Sequence, residues 1–295
     1  MKVAILGAGA YGRALGKVAR DNGHATKFFD PFKFPERSLE AVLEWAEVVL
    51  LSTPAEVARK LLGQFPVPER EKSLVVATKG LMNLAIYRDF RWVELVSGPG
   101  FASEILRGKK VKLTVATQMG RTVGSSETGE ASEAGGKSET VAERVLAGEQ
   151  VKFDSTEDAR GVALLSGLKN IYAIEAGRRG LEFGTDEFKE YIHDALCEAE
   201  KMLLYNGGFL ETVRLNAGVG DFVLTCGSRE SRNYRLGELM RMRGERGRKR
   251  EIRLFLKNNT VEGLHAAREI KRLGLAVPRE LEILPDILRR IYAIK

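Results

Sequence analysis

Cysteine is scarce in this chain: Cys197 and Cys226 are the only two among 295 residues. Two cysteines exclude a disulfide-stapled scaffold and a tetrathiolate zinc centre, and no metal site is expected. Such usage suits the reducing cytoplasm. Proline is also rare, with 8 residues, in a chain that is 44% hydrophobic and 29% charged. That balance excludes collagen-like, mucin-like and wholly disordered classes. No window approaches the roughly 18 uncharged apolar residues that would span a bilayer. The apolar start from Met1 to Leu6 runs into glycines without a cleavage site, so no signal peptide is expected. The length suits one large or two medium domains. The 47 Lys and Arg against 40 Asp and Glu leave a net charge of +7. The cations are scattered and form no nucleic-acid module, so no nucleic-acid partner is expected. A solvated basic surface, or a field that draws an anionic small molecule, accounts for the excess.

The first half alternates short apolar runs with helix-like segments. Residues 2–6 (KVAIL), 26–29, 47–52 (EVVLLS) and 73–78 (SLVVAT) fit strands buried on both faces of a parallel sheet. Segments near 39–45 and 55–62 have helical character, and further strands are predicted at 95–97 and 113–117. This order predicts a doubly wound, mainly parallel α/β domain. The stretch 120–138, rich in Gly, Ser and Glu, is expected to be a surface loop. Beyond Asp158 apolar residues recur at helical spacing (Val162, Leu165, Leu168, Ile171, Ile174; then Tyr191, Ala195, Ala199, Met202). An all-α second domain follows, with residues 1–155 and 156–295 as the expected division. The basic run 241–253 (RMRGERGRKREIR) is expected to be a solvated loop or helix face.

Gly7-Ala8-Gly9-Ala10-Tyr11-Gly12 directly follows the first predicted strand and opens a helix, the context that gives this spacing meaning. Gly7 permits the turn, Gly9 lets the backbone approach a pyrophosphate, and Gly12 lets helix and strand pack closely. The helix N-terminus adds unsatisfied N–H donors for phosphate. Asp30 ends the second strand, where a carboxylate accepts hydrogen bonds from an adenosine ribose and repels a 2′-phosphate. NAD is therefore the expected cofactor and NADP is disfavoured, with Lys33 as a competing cation. Lys79 follows a buried strand at a carboxyl end of the sheet, where open α/β sheets bind ligands. Gly98 and Gly100, in SGPGFA, offer close backbone approach. Lys169-Asn170 interrupts an apolar helical pattern, and a lysine there must be paired or used. Asp221, Ser231, Arg232 and Asn233 complete the polar set; Arg232 has the donor fork to grip a phosphate.

GAGAYG, ATKGL, SGPGFASE, LKNIYAI, GDFVLTCGSRESRN and TVEGLHAA, in this order and approximate spacing, resemble the NAD(P)-dependent glycerol-3-phosphate dehydrogenase family. The resemblance covers nearly the whole chain, and GDFVLTC…SRN is its most discriminating segment. It implies an N-terminal Rossmann domain, a helical C-terminal domain, a site in the cleft between them, and a homodimer. It implies that Lys169 is the general base, oriented by Asp221. Lys79, Gly98, Gly100, Lys169, Asp221, Ser231, Arg232 and Asn233 would contact substrate. Ala10, Tyr11, Ala102, Thr260, Glu262 and also Lys79 and Arg232 would contact cofactor. The implied reaction is reversible reduction of dihydroxyacetone phosphate to sn-glycerol 3-phosphate, a supply of glycerophospholipid precursor. The chain departs from the family in having Gly100 for a usual Ser, Ala163 for a usual Glu, and Pro31 for an Arg that often reads NADP. Another two-domain Rossmann dehydrogenase, of the β-hydroxyacid or ketopantoate type, and a cofactor-binding regulator without turnover are the alternatives.

Overall fold

The computed structural model describes residues 1–78, 80, 84–87, 90–118 and 139–294; Lys79 and the loop expected at 120–138 lie outside the described residues. The first half supplies β1 (Lys2–Leu6), α1 (Ala10–Asp21), β2 (Ala25–Phe29), α2 (Leu39–Trp45), β3 (Val48–Leu51) and α3 (Ala55–Leu62). It continues with β4 (Ser73–Val76), β5 (Trp92–Ser97), α4 (Ala102–Leu106), β6 (Val111–Gln118), α5 (Val141–Leu146) and β7 (Val151–Thr156). The seven strands form one sheet in the order β2-β1-β3-β4-β5-β6-β7. All neighbours run parallel except β5 and β6.

The apolar runs read as strands are strands because both their faces are covered. All four residues of β3 and the last four of β1 are buried. On one face Leu6, Val49, Leu51 and Leu74 meet Leu43 of α2 and Leu61 and Leu62 of α3. On the other, Val3, Ile5, Leu50 and Val75 meet Leu15 and Val18 of α1, Ile105 of α4 and Val145 of α5. The chain leaves β1 for β2 on one side and returns to β3 on the other. This reversal opens a crevice outside the carboxyl ends of β1 and β3, the usual ligand position in such sheets.

Two features differ from the sequence reading. β7 was not expected, because only Val151 is buried and the partly exposed residues VKFDST carry no apolar run; it is an edge strand held through its parallel ladder to β6. The antiparallel pairing of β5 with β6 lay below the resolution of a pattern that orders strands only along the chain.

The second half is helical: α6 (Ala159–Arg179), α7 (Asp186–Tyr205), α8 (Asp221–Cys226), α9 (Arg232–Met240), α10 (Glu245–Asn258), α11 (Glu262–Arg272) and α12 (Ile283–Tyr292). α6 is the axis, packing its buried length against the other helices and its start against β5 and β6. Buried carboxylates fix the ends of elements. Asp158 caps α6 through Gly161 N–H at 2.7 Å and also accepts from Phe209 N–H and Thr212 Oγ1. Glu198 of α7 accepts the N–H groups of Glu282, Ile283 and Leu284 at 2.6–2.9 Å and the Tyr172 hydroxyl at 2.7 Å. It caps α12 from another helix, supplying acceptors that the first turn of α12 lacks. Glu198→Ala would strand three backbone donors and a phenol in the core. We expect a loss of roughly 3–5 kcal/mol in unfolding free energy. Urea denaturation checks this, and a loss below about 1 kcal/mol would show the cap to be dispensable.

Candidate active site

A cleft of about 480 Å³ lies where the crevice of the sheet faces the helical half. Its floor on the sheet side is the β1–α1 turn. Gly7 sits at φ 105°, and a Cβ there would meet the Ser52 carbonyl oxygen at 2.7 Å. A Cβ on Gly12 would lie 2.0 Å from the Gly7 carbonyl oxygen, so helix and turn approach more closely than any side chain allows. A Cβ on Gly9 would meet nothing within 4 Å; it would project into open space. The first helical hydrogen bond of α1 runs from Arg13 N–H to Gly9 carbonyl, and among the described residues no side chain caps the helix. The N–H groups of Ala10 and Gly12, ahead of that bond, have no acceptor within the helix. Gly9, Ala10 and Tyr11 line the cleft.

Asp30 stands beside this turn. Its Oδ2 accepts Ala8 N–H at 3.0 Å, and its Oδ1 accepts Phe32 and Lys33 N–H at 3.1 and 3.3 Å. The Lys33 ammonium donates to the Ala8 carbonyl. A carboxylate offers about four acceptor positions. Three are engaged by described residues, which among them leaves one on Oδ2.

The opposite wall comes from α6, α8, α9 and α11. Lys169 and Asp221, each 2% exposed, form an ion pair, and Asp221 Oδ1 also accepts from Thr225 Oγ1 at 3.2 Å. Lys169 lines the cleft and Asp221 lies behind it. Asn170 donates to the Ser166 carbonyl and accepts from Asn233 Nδ2 at 2.7 Å, while Asn233 Oδ1 accepts Gly263 N–H at 2.9 Å. Asn233 thereby joins α6, α9 and α11. Ser231 caps α9 through Tyr234 N–H. Arg232 donates to Glu262 at 2.8 Å across the cleft wall. Burial, and then the charge of Asp221, push the Tyr11 phenol above its ordinary range. The phenol is a proton-bearing donor at neutral pH.

Of the residues expected from sequence, Gly9, Ala10, Tyr11, Ala102, Lys169, Ser231, Arg232, Asn233 and Glu262 converge on this cleft. Gly7, Gly12, Asp30 and Asp221 support it from behind. Gly98, Gly100 and Thr260 are not among its lining residues. Gly98 is pressed against β6, where a Cβ would meet Leu113 Cα at 2.9 Å; a Cβ on Gly100 would point at Ile105 and Val111. The sequence reading missed Ser52, Thr53 and Pro54, which line the cleft at the carboxyl end of β3. The rule that pointed to Lys79 after β4 applies equally there. It also missed the bridge across the cleft mouth from Ser103 Oγ to Glu230 at 3.0 Å, which no local pattern marks.

A family model described as the NAD-dependent glycerol-3-phosphate dehydrogenase C-terminus matches residues 158–294. A Paracoccus denitrificans protein named glycerol-3-phosphate dehydrogenase (NAD(P)+) is 30% identical over 310 aligned residues, covering 94% of this chain and 90% of that one. The chain belongs to this family. The Thioalkalivibrio sulfidiphilus member is 29% identical, covering 98% of this chain and 92% of the relative. The fold of the family recurs in the solved glycerol-3-phosphate dehydrogenases of Coxiella burnetii (22% identity, TM-score 0.71, 99% and 98% covered) and Saccharomyces cerevisiae (17%, 0.75, 100% and 96%).

The residues present fit the family's dinucleotide. The open side of Gly9 and the uncapped first turn of α1 make a cradle that any Cβ would fill. At its edge, the Thr53 hydroxyl is buried without a hydrogen-bond partner among the described residues.

The two thiols differ by burial. Cys226 is fully buried, and burial followed by the Asp221 charge pushes its thiol above the ordinary range; Cys197 is partly exposed beside His193. A chromogenic disulfide reagent at pH 8 should titrate one thiol in the native protein and two after denaturation. Two fast native thiols would contradict this packing.

Proposed function

We infer that the protein catalyses the reversible NAD-linked reduction of dihydroxyacetone phosphate to sn-glycerol 3-phosphate. The observation that carries the reading is the buried Lys169–Asp221 pair in a cleft whose far wall is an uncapped, glycine-lined helix N-terminus. The bound nicotinamide supplies or accepts the hydride.

The N–H donors of Ala10, Tyr11 and Gly12 would hold the pyrophosphate and Asp30 the adenosine ribose. Ala102 and Glu262, which line the cleft, would complete the cofactor contacts. Lys169 Nζ gives its proton to the oxygen at C2 during reduction and takes it back during oxidation. Asp221, bonded to Lys169 and Thr225, orients the ammonium. Arg232 and Asn233 would hold the substrate phosphate, with Ser231 and Lys79 as further contacts. Arg232 must exchange the Glu262 carboxylate for the phosphate, and its 43% side-chain exposure gives it the freedom to turn. Residues 1–155 would serve as the dinucleotide-binding domain and 156–295 as the substrate-binding and catalytic domain.

Family resemblance supports a homodimer, and the exposed Leu204, Tyr205 and Phe209 offer apolar surface for one. Two free cysteines are in keeping with the cytoplasm.

Lys169→Ala should lower kcat by at least about 10²–10⁴-fold while leaving NADH binding nearly intact, because proton transfer of this kind contributes that much. Following NADH absorbance with dihydroxyacetone phosphate, and NADH binding by fluorescence, separates the two effects. Near-normal kcat would make Lys169 structural. No substrate-dependent oxidation by the unmutated protein, with NADH bound, would favour a regulator.

Cofactor choice supplies a second test. With NADPH the Asp30 carboxylate would face a phosphate dianion, at a cost of about 2–3 kcal/mol, and Lys33 would recover about 1 kcal/mol. The expected kcat/KM ratio is roughly tenfold or more for NADH over NADPH. Asp30→Ala should shrink that ratio and Lys33→Ala widen it. A ratio of one or less in the unmutated protein would refute the assignment of Asp30.

A further inference from the structure

Cations occur along the whole chain, but their excess over acids is concentrated in one segment. Between Arg241 and Lys257 the sequence holds eight Lys and Arg against two Glu, an excess of six, in a chain whose whole excess is +7. The rest of the molecule is close to neutral. A solvated loop or helix face was the expectation, and in the structure most of this stretch is a helix, α10.

α10 has two unlike faces. Ile252 is its one buried residue, and Phe255 and Leu256 pack partly against the helical core. The Phe255 ring lies 5.3 Å from the guanidinium of Arg235 on α9, so the aromatic group of the segment faces inward. Arg246, Arg250, Arg253 and Lys257 recur at the four- and three-residue spacing of a single helix face, and all are exposed. Lys249 beside them is exposed and pairs with Glu245 at 2.6 Å. Arg241 and Arg243 extend the patch before the helix begins. Two apolar side chains interrupt these cations: Leu254 is 53% exposed and Met242 40%.

We propose that α10 and its approach form a peripheral docking face for anionic lipid surfaces. A row of cations on one side of a helix anchored by its other side is the electrostatic complement of a flat negative surface. Clusters of four to eight Lys and Arg on an amphipathic helix bind anionic headgroups in this way. Each cation strengthens partitioning on the order of fivefold. Leu254 and Met242 decide between polyanions. A headgroup layer rewards an apolar side chain set among cations, since acyl chains lie just beneath it. A polynucleotide rewards exposed aromatic rings for stacking, and the outer face of α10 presents none. Attachment is superficial, because the apolar stripe of α10 is already spent on α9 and the core.

Co-sedimentation with vesicles tests the proposal on the whole 295-residue chain. Vesicles of equal parts phosphatidylglycerol and phosphatidylcholine should retain it at about 50 mM salt and release it towards about 1 M, where screening shortens to about 3 Å. Pure phosphatidylcholine vesicles should not retain it. Combined Arg246→Gln, Arg250→Gln and Arg253→Gln should lower partitioning by at least about a hundredfold. The triple variant should keep its oxidation of NADH by soluble dihydroxyacetone phosphate. Leu254→Asn, which changes no charge, should weaken partitioning several-fold. Absence of retention on anionic vesicles, or retention unchanged in the triple variant, overturns the proposal. Tighter binding to poly(U) than to anionic vesicles at equal salt overturns it in favour of a polynucleotide.

Discussion

α6 is buried on every face from Gly161 to Gly177, and that stretch contains Lys169, Asn170 and Glu175. Withdrawing a charge from water costs several kcal/mol unless a counter-charge and hydrogen bonds replace the solvent. A helix so placed dictates its neighbours. Lys169 requires a carboxylate, and α8 delivers Asp221 to it. Asn170 requires partners, and α9 delivers Asn233. Glu175, 1% exposed, is matched from its own helix by Arg178 and Arg179 where α6 emerges towards solvent. The Lys169–Asp221 pair and the polar wall beside it thus follow from the same demand that stabilises the helical half.

The demand can be met only if the helices come close, and glycine allows this. A Cβ on Gly177 would stand 2.0 Å from the Tyr234 carbonyl oxygen of α9; one on Gly237 would stand equally near that of Ile174. A Cβ on Gly263 would lie 2.7 Å from the Asn170 carbonyl oxygen. These crossings bring the starts of α9 and α11 against the middle of α6. Ser231, Arg232, Asn233 and Glu262 therefore border the cleft beside Lys169. A larger residue at any of these glycines would separate α6 from the side chains that complete the wall.

What was legible in the sequence follows from how each signal is encoded. Strands buried on both faces announce themselves as apolar runs, so β1, β3 and β4 could be read directly. β7 could not, because its half-exposed edge sequence lacks an apolar run. Lys169 stood out as a cation inside an apolar helical pattern, a local contradiction that demanded a partner. The identity of that partner, 52 residues away, was carried by family resemblance rather than by any spacing rule. Glu198 and Asp158 escaped notice for the same reason. Each caps a distant chain segment, and a single carboxylate in a helical stretch looks like an ordinary surface acid until the fold brings its donors to it.

Asp30 illustrates the limit of reading a motif residue by its ligand alone. Its position at the end of β2 points to a ribose contact, yet three of its acceptor positions bind backbone N–H groups, one of them in the glycine turn itself. The carboxylate therefore ties the loop after β2 to the β1–α1 turn, and Lys33 closes the same link from the other side through the Ala8 carbonyl. A side chain that holds the turn and would also meet the cofactor couples the two tasks: moving it would disturb the cradle as well as the contact. Lys33 is likewise a strut of the turn, and in the proposed binding mode it would also be a cation near the ribose. Its effect on cofactor choice is set by how far a 2′-phosphate can draw the ammonium from the carbonyl it already serves.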